Sequence, residues 1–303
     1  MNCMDSVIIT GYSKNRYMIM ILELTDEYNY VCKKVFNFTD IERIATHSIL
    51  CEENIVYLVD SYNCRVCKFD FNLNQYGETT VGRDPRHLCL NDENIYVTNF
   101  ESDNISVIDL ESFTLTGSIP AGIKPHDIKF CKQNNCLYTS CYEENQILEY
   151  DLQNGIKKYF DTDGKPMHFF VNNSDMIAMT YYANGNIYTK INFINIETGK
   201  IEDVIKIKGL ASDMDLDVVN NLLYIINIDD KSLYIVDIKK RNVLKRIFIG
   251  GYPESLSFGE NNIYVTNSKK NQISIIDIAT FSIIKNINLE FSPACIKVIN
   301  KSI

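Results

Sequence analysis

Basic residues are scarce in this sequence: 30 Lys and Arg stand against 39 Asp and Glu, a net charge of −9. Nucleic-acid binding by counterion release needs a basic face, so the balance argues against a nucleic-acid partner. No run approaches the roughly 20 apolar residues of a membrane span, so no membrane partner is expected either. The opening MNCMDSVIITGYSKN lacks a charged segment followed by an apolar stretch and a small-residue cleavage site, and the expected location is cytoplasmic. Helical periodicity is missing too, because apolar residues never recur at a period of about 3.6 over a useful length. No nucleophile–base pair, phosphate-cradling glycine loop or zinc-protease spacing is present. What remains is ordinary for a protein with a large core, with 46% hydrophobic and 23% charged residues.

Ten cysteines occur, and without an export signal they are expected as reduced thiols rather than a disulfide framework. Cys64 and Cys67 form a C-x-x-C inside YNCRVCKFDF. That segment reads as a strand, on which residues three apart face opposite ways, and no second C-x-x-C completes a zinc motif. The pair is read as structural.

The dominant feature is repetition. NIYVTNFESDNISVIDLESFT at 94–114 returns as NIYVTNSKKNQISIIDIATFS at 262–282, and weaker copies begin at 54, 135 and 221. In all five a tyrosine stands 13 residues before an aspartate: Tyr57 and Asp70, Tyr96 and Asp109, Tyr138 and Asp151, Tyr224 and Asp237, Tyr264 and Asp277. Degenerate copies from 7 and 176 complete seven units of about 40–49 residues. Within a unit, short alternating runs rich in Ile, Val, Tyr and Phe are separated by Asn, Asp, Gly and Ser clusters, which reads as four strands. Four antiparallel strands repeated seven times predict an all-β, seven-bladed β-propeller forming a single domain over 1–303. The first unit lacks its opening strand and the segment after Pro293 supplies one, so the C-terminal strand is expected to close the ring on the N-terminal blade. The recurring aspartate is expected to fix a hairpin turn, and the recurring tyrosine to pack between blades.

The YVTN at 96–99 and 264–267, the following ISVIDL and ISIIDI, and the G-x-x-P before the opening strand (Gly82 to Pro85, Gly122 to Pro125, Gly250 to Pro253) resemble the YVTN-repeat, YncE-like propellers, a WD40-like repeat architecture. The resemblance covers nearly the whole chain and implies the fold. It does not imply a function, because propellers host binding modules and enzymes alike.

The four histidines carry the functional reading. His87 and His168 lie two residues after the turn prolines Pro85 and Pro166, and His126 lies one after Pro125; His47 takes the same place if Ala45 substitutes for proline. All four are thus expected at the entrance of an opening strand, around the mouth of a central channel. The position two residues after the proline reads His47, His87, Asp127, His168, Asp213, Ser255 and Cys295, whereas the next position is mostly apolar. This alternation predicts that the first set faces the channel. Imidazole, carboxylate and thiolate converging on one axis suit zinc or another divalent transition metal, with His47, His87, His168, Asp213 and Cys295 as ligands. A water-filled polar funnel that simply tolerates such residues is the competing reading.

Loops between the second and third strands carry Asp60, Glu101, Asp103, Glu143, Glu144, Asp229 and Asp230, opposed by Lys269 and Lys270. An acidic rim would favour a small cationic ligand, a peptide or a basic protein surface. Tyr181 and Tyr182, in the long YYANGNIYTK loop, are candidates to overhang that mouth, with His126, Asp127 and Ser255 as further ligand contacts. Two functions follow: a binding module presenting a His-lined acidic mouth, or a metal-dependent lyase or lactone hydrolase at the same mouth with Glu254 as general base.

Overall fold

The structure, a computed structural model, describes residues 3–13, 16–25, 29–38, 43–52, 54–172 and 174–299. The chain is built from short extended segments in sequence-order fours. First come β1 (Cys3–Ser13), β2 (Arg16–Thr25) and β3 (Tyr30–Asn37). β4 (Thr46–Glu52), β5 (Ile55–Asp60), β6 (Arg65–Asp70) and β7 (Gln75–Thr80) follow. Next are β8 (Pro85–Leu90), β9 (Asn94–Asn99), β10 (Asn104–Asp109) and β11 (Leu115–Pro120). The middle of the chain gives β12 (Pro125–Cys131), β13 (Cys136–Cys141), β14 (Gln146–Asp151) and β15 (Lys157–Asp161). β16 (Lys165–Val171), β17 (Asp175–Asn184), β18 (Asn186–Asn195) and β19 (Ile201–Lys208) come after. β20 (Ala211–Asp217), β21 (Leu222–Asn227), β22 (Ser232–Asp237) and β23 (Asn242–Phe248) precede β24 (Pro253–Phe258), β25 (Asn262–Asn267), β26 (Gln272–Asp277), β27 (Ser282–Asn288) and β28 (Ser292–Ile299).

Each four forms one sheet, and the first sheet takes its fourth strand from the other end of the chain, in the order β28-β1-β2-β3. The fold is a seven-bladed β-propeller with four antiparallel strands per blade. No helix among the described residues is long and apolar enough to cross a membrane.

By its packing the chain comprises two compact units. The first contains Met1–Tyr57, Lys68–Tyr76 and Ala211–Ile303. Here β28 pairs with β1 (Ile9 opposite Ile296, Val7 opposite Val298). Val7, Ile9, Ile296 and Val298 bury themselves in one cluster with Tyr264, Ile273 and Ile275. The second unit contains Leu58–Cys67 and Gly77–Leu210. Its core includes Tyr138, Ile147, Phe160, Phe169 and Ala178 in one cluster, and Tyr96, Ile105, Ile128 and Leu137 in another.

The repeated residues divide the labour as their chemistry dictates. Tyr57, Tyr96, Tyr138, Tyr224 and Tyr264 are all buried. Each repeated aspartate accepts backbone N–H groups of the turn that follows it, as Asp70 does from Asn72 and Asn74 at 2.8 Å and Asp237 from Lys240 at 2.9 Å. Asp109 and Asp277 accept from the N–H and hydroxyl of Ser112 and Thr280. These bonds hold the carboxyls of Asp70, Asp109, Asp237 and Asp277 below the usual range.

The threonine of YVTN has a different task. Thr98 Oγ1 accepts the His87 N–H at 3.1 Å and donates to the carbonyl of His126, on the next sheet, at 2.7 Å. Ser140 does the same between Asp127 and Met167, and Thr266 between Ser255 and Ala294. In each of these three blades one hydroxyl therefore satisfies a donor on its own opening strand and an acceptor on the neighbour's.

Cys64 lies in a turn with left-handed φ of 53°, just ahead of β6 rather than on it, while Cys67 is buried on β6. The strand expected across both cysteines therefore begins one residue after the first.

Candidate metal centre

A register slip builds the site. Opposite β9 the register shifts between Pro85 and Leu88, opposite β13 between Pro125 and Ile128, and opposite β17 between Pro166 and Phe169. Each opening strand thus carries one extra residue, and a β-bulge removes the strict in–out alternation over the two residues after the proline. His126, one residue after its proline, consequently joins His87 and His168, each two residues after theirs.

The three imidazoles, all in the second unit, form a nearly equilateral triangle. Ring centroids lie 5.1 Å apart for His87 and His126, 4.9 Å for His87 and His168, and 5.0 Å for His126 and His168. Beside them is the carboxylate of Asp127, whose side chain is 2% exposed. Its oxygens lie 3.8 Å from His87 Nδ1 and 3.6 Å from His168 Nδ1. One donor atom from each of His87, Asp127 and His168 can be chosen so that all fall within 4.8 Å of one another.

The carboxylate is anchored. Oδ1 accepts the Ile128 N–H at 2.8 Å and the Lys129 ammonium at 3.0 Å, and Oδ2 accepts the Phe169 N–H of the next sheet at 3.3 Å. Burial alone would raise the Asp127 carboxyl, but Lys129, His87 and His168 together hold it well below the usual range. Burial drives the imidazoles the other way: His87 falls to about 3, with Asp127 opposing and His168, Lys129 and Arg86 adding to the drop. His126 falls well below its usual value, again through burial first and then His168 and His87. At neutral pH the cluster is therefore one carboxylate facing neutral imidazole at His87 and His126, the protonation state that metal ligation requires.

Aromatic rings and cations border the triangle. Phe100 meets His126 edge-on at 6.2 Å and Tyr142 at 5.8 Å. Arg86 and Lys124 lie over Phe100 at 4.7 and 5.3 Å, and Lys165 over Tyr142 at 4.9 Å. These cations correct the expectation of an acidic rim opposed only by Lys269 and Lys270. Glu143 is bound by Lys165 at 2.5 Å, Glu101 lies 3.8 Å from Lys124, and Asp60 is buried against Arg65 at 3.0 Å. Three of the acidic loop charges of this unit, Asp60, Glu101 and Glu143, thus have a base beside them.

Tyr181 and Tyr182 are not on a loop. β17 and β18 run on to Asn184 and Asn186 around Gly185, with Tyr182 opposite Tyr188 and Lys190 Nζ 3.8 Å from the Tyr182 ring centroid. Tyr181 stands opposite Lys165 at the start of β16.

The remaining sequence-chosen residues belong to the first unit. His47 is on β4, with its carbonyl 3.8 Å from Cys295 Sγ. Asp213 accepts the N–H of Met214 at 2.8 Å through one oxygen, and the N–H of Leu256 and the hydroxyl of Ser255, both at 2.9 Å, through the other. It is a strut between β20 and β24. Burial, with Asp213 and Glu254, pushes the Cys295 thiol up to about 12, and it donates to the Thr46 carbonyl at 3.6 Å. Burial also raises the Glu254 carboxyl, which Ser268 partly offsets. Sequence reasoning missed Lys129 and Phe100, since neither carries a spacing signal and only the fold brings them to the histidines.

Among solved structures the chain resembles a protein from Bacteroides fragilis described as a candidate 6-phosphogluconolactonase, at TM-score 0.74 and 15% identity over 98% of each chain. It also resembles the periplasmic gluconolactonase PpgL of Pseudomonas aeruginosa, at TM-score 0.70 and 12% identity over 97% of this chain and 99% of that one. AztD of Citrobacter koseri gives TM-score 0.69 and 12% identity over 98% of each chain. At such identities the likeness establishes the propeller fold alone. No family model and no curated protein matches the sequence.

Proposed function

We propose that this protein is a propeller-type binding module that takes a divalent transition-metal ion at His87, Asp127 and His168. Zinc is the best chemical match to two imidazoles and a carboxylate. The observation that carries this reading is the spacing of 3.6 and 3.8 Å between the imidazole nitrogens and the Asp127 oxygens. Those distances are too long for hydrogen bonds. With bonds of about 2.0–2.2 Å, two ligands of one tetrahedral zinc lie roughly 3.3–3.5 Å apart, so a small closure makes them co-ligands. An arriving ion would take over from the Lys129 ammonium at Oδ1, exchanging one cation for another. In the first unit Cys295 keeps its proton, burial pushing its thiol up to about 12. Cys32, an exposed thiol outside any disulfide, supports a reducing, cytoplasmic setting.

The test is elemental analysis and calorimetric zinc titration of protein purified without a histidine tag. One ion per chain is expected, lost when His87→Ala and His168→Ala are combined. Equal uptake by the parent and the double variant would refute the reading.

A second reading, a lactone hydrolase or lyase, rests on Glu254, whose carboxyl burial raises and which would serve as the general base. Turnover of glucono-lactone or its 6-phosphate, lost in Glu254→Gln with zinc uptake retained, would favour it over a binding module.

A further inference from the structure

The fourth strand of each sheet is an edge, and a bare edge recruits other chains unless charge guards it. Lysine or arginine guards β3, β15, β19, β23 and β27, and Glu78 lies on β7. β11, with the sequence LTGSIP, carries no charge, and most of its residues are exposed. Gly117 at its middle has no atom within 4 Å of where a Cβ would stand. Bonds from neighbouring sheets reach the flanks of this strand: Lys157 donates to the Pro120 carbonyl at 2.9 Å, and Thr79 donates to the Phe113 carbonyl. The stretch between is open.

Just before β11 begins, a cavity of about 410 Å³ is lined by Asp92, Glu93, Asn94, Asp109, Leu110 and Glu111. Four of these six are carboxylates and none is basic. Asp109 is engaged with Ser112, so Asp92, Glu93 and Glu111 set the field. Lys132 reaches Asp92 at 3.5 Å in a highly exposed pair, which an arriving cation displaces at little cost.

We infer that β11 is a docking edge for an extended peptide segment bearing lysine or arginine, which adds as a fifth strand to the β8–β11 sheet and sets its cationic side chain in the acidic cavity. Main-chain hydrogen bonds to the edge would give affinity, and the carboxylates would select for charge. The site is separate from the histidine cluster and does not depend on the metal reading.

Fluorescence anisotropy of the full chain with the labelled peptide Lys-Val-Thr-Val-Thr-Val-Lys tests this. Gly117→Lys installs the guard that most other fourth strands carry, at a position with room for it, and should weaken binding about tenfold or more with an unchanged melting temperature. Asp92→Asn with Glu111→Gln should weaken the lysine peptide and leave a glutamine-ended control unaffected. The inference is overturned by absence of saturable binding, by binding indifferent to Gly117→Lys, or by self-association of the chain through this edge in place of peptide capture.

Discussion

Thr98 shows how much one hydroxyl does at the residue scale. It is fully buried and joins two opening strands by accepting from His87 and donating to His126. Thr98→Val keeps the volume but strands a buried N–H and a buried carbonyl, so it should destabilise by about 1–3 kcal/mol, whereas Thr98→Ser should cost well under half of that. Equilibrium urea unfolding decides: equal midpoints for the two variants would mean that the bridge contributes little. The motif was visible in the sequence, but its reason was not, because the acceptor of that hydroxyl lies 28 residues away. The repeated tyrosines and aspartates were legible because aromatic burial and Asx-type turns are local chemistry that recurs in every copy. Its spacing puts His126 among the ligand contacts, but strict alternation puts it outside the inward set. The bulge between Pro125 and Ile128 brings it in, and no residue type announces a bulge.

At the scale of elements, the seven-unit count and the displaced strand could be read directly, since the first repeat begins with its second strand. The structure joins β28 to β1 as that count requires. The joint is tight: a Cβ on Gly11 would come within 2.3 Å of the Ser292 carbonyl oxygen. Removing residues 292–303 would strip β1 of one of its two partner strands and expose Val7 and Ile9, which are fully buried, along an unguarded edge. Loss of soluble monomer in size-exclusion chromatography is the expected result. A monomeric product with the parent's melting temperature would show that closure is dispensable. The hairpin around Gly185 was less legible. Its length suggested a loop, but the alternating aromatic and β-branched residues on either side extend both strands to the Asn-Gly tip, where Gly185 takes φ of 71°.

Across the whole molecule, repetition multiplies small effects, and acid stability is where this becomes measurable. Four turn aspartates on four different sheets, Asp70, Asp109, Asp237 and Asp277, have carboxyls held below their ordinary value of 3.8 by turn hydrogen bonds. A carboxyl depressed in the folded state lends stability that is fully present above its unfolded value and disappears as pH falls through the folded one. The four therefore act in the same direction over the same window. Changing all four to asparagine keeps a carbonyl acceptor in each turn but removes the proton linkage. The melting temperature of the parent should exceed that of the quadruple variant by a constant margin from neutrality down to about pH 5. That margin should then shrink below about pH 4 and nearly vanish by about pH 2. A margin that stays the same across the whole acid range would show that the turn carboxylates act through geometry alone, and that the acid limb of this propeller is set by buried groups such as Asp127.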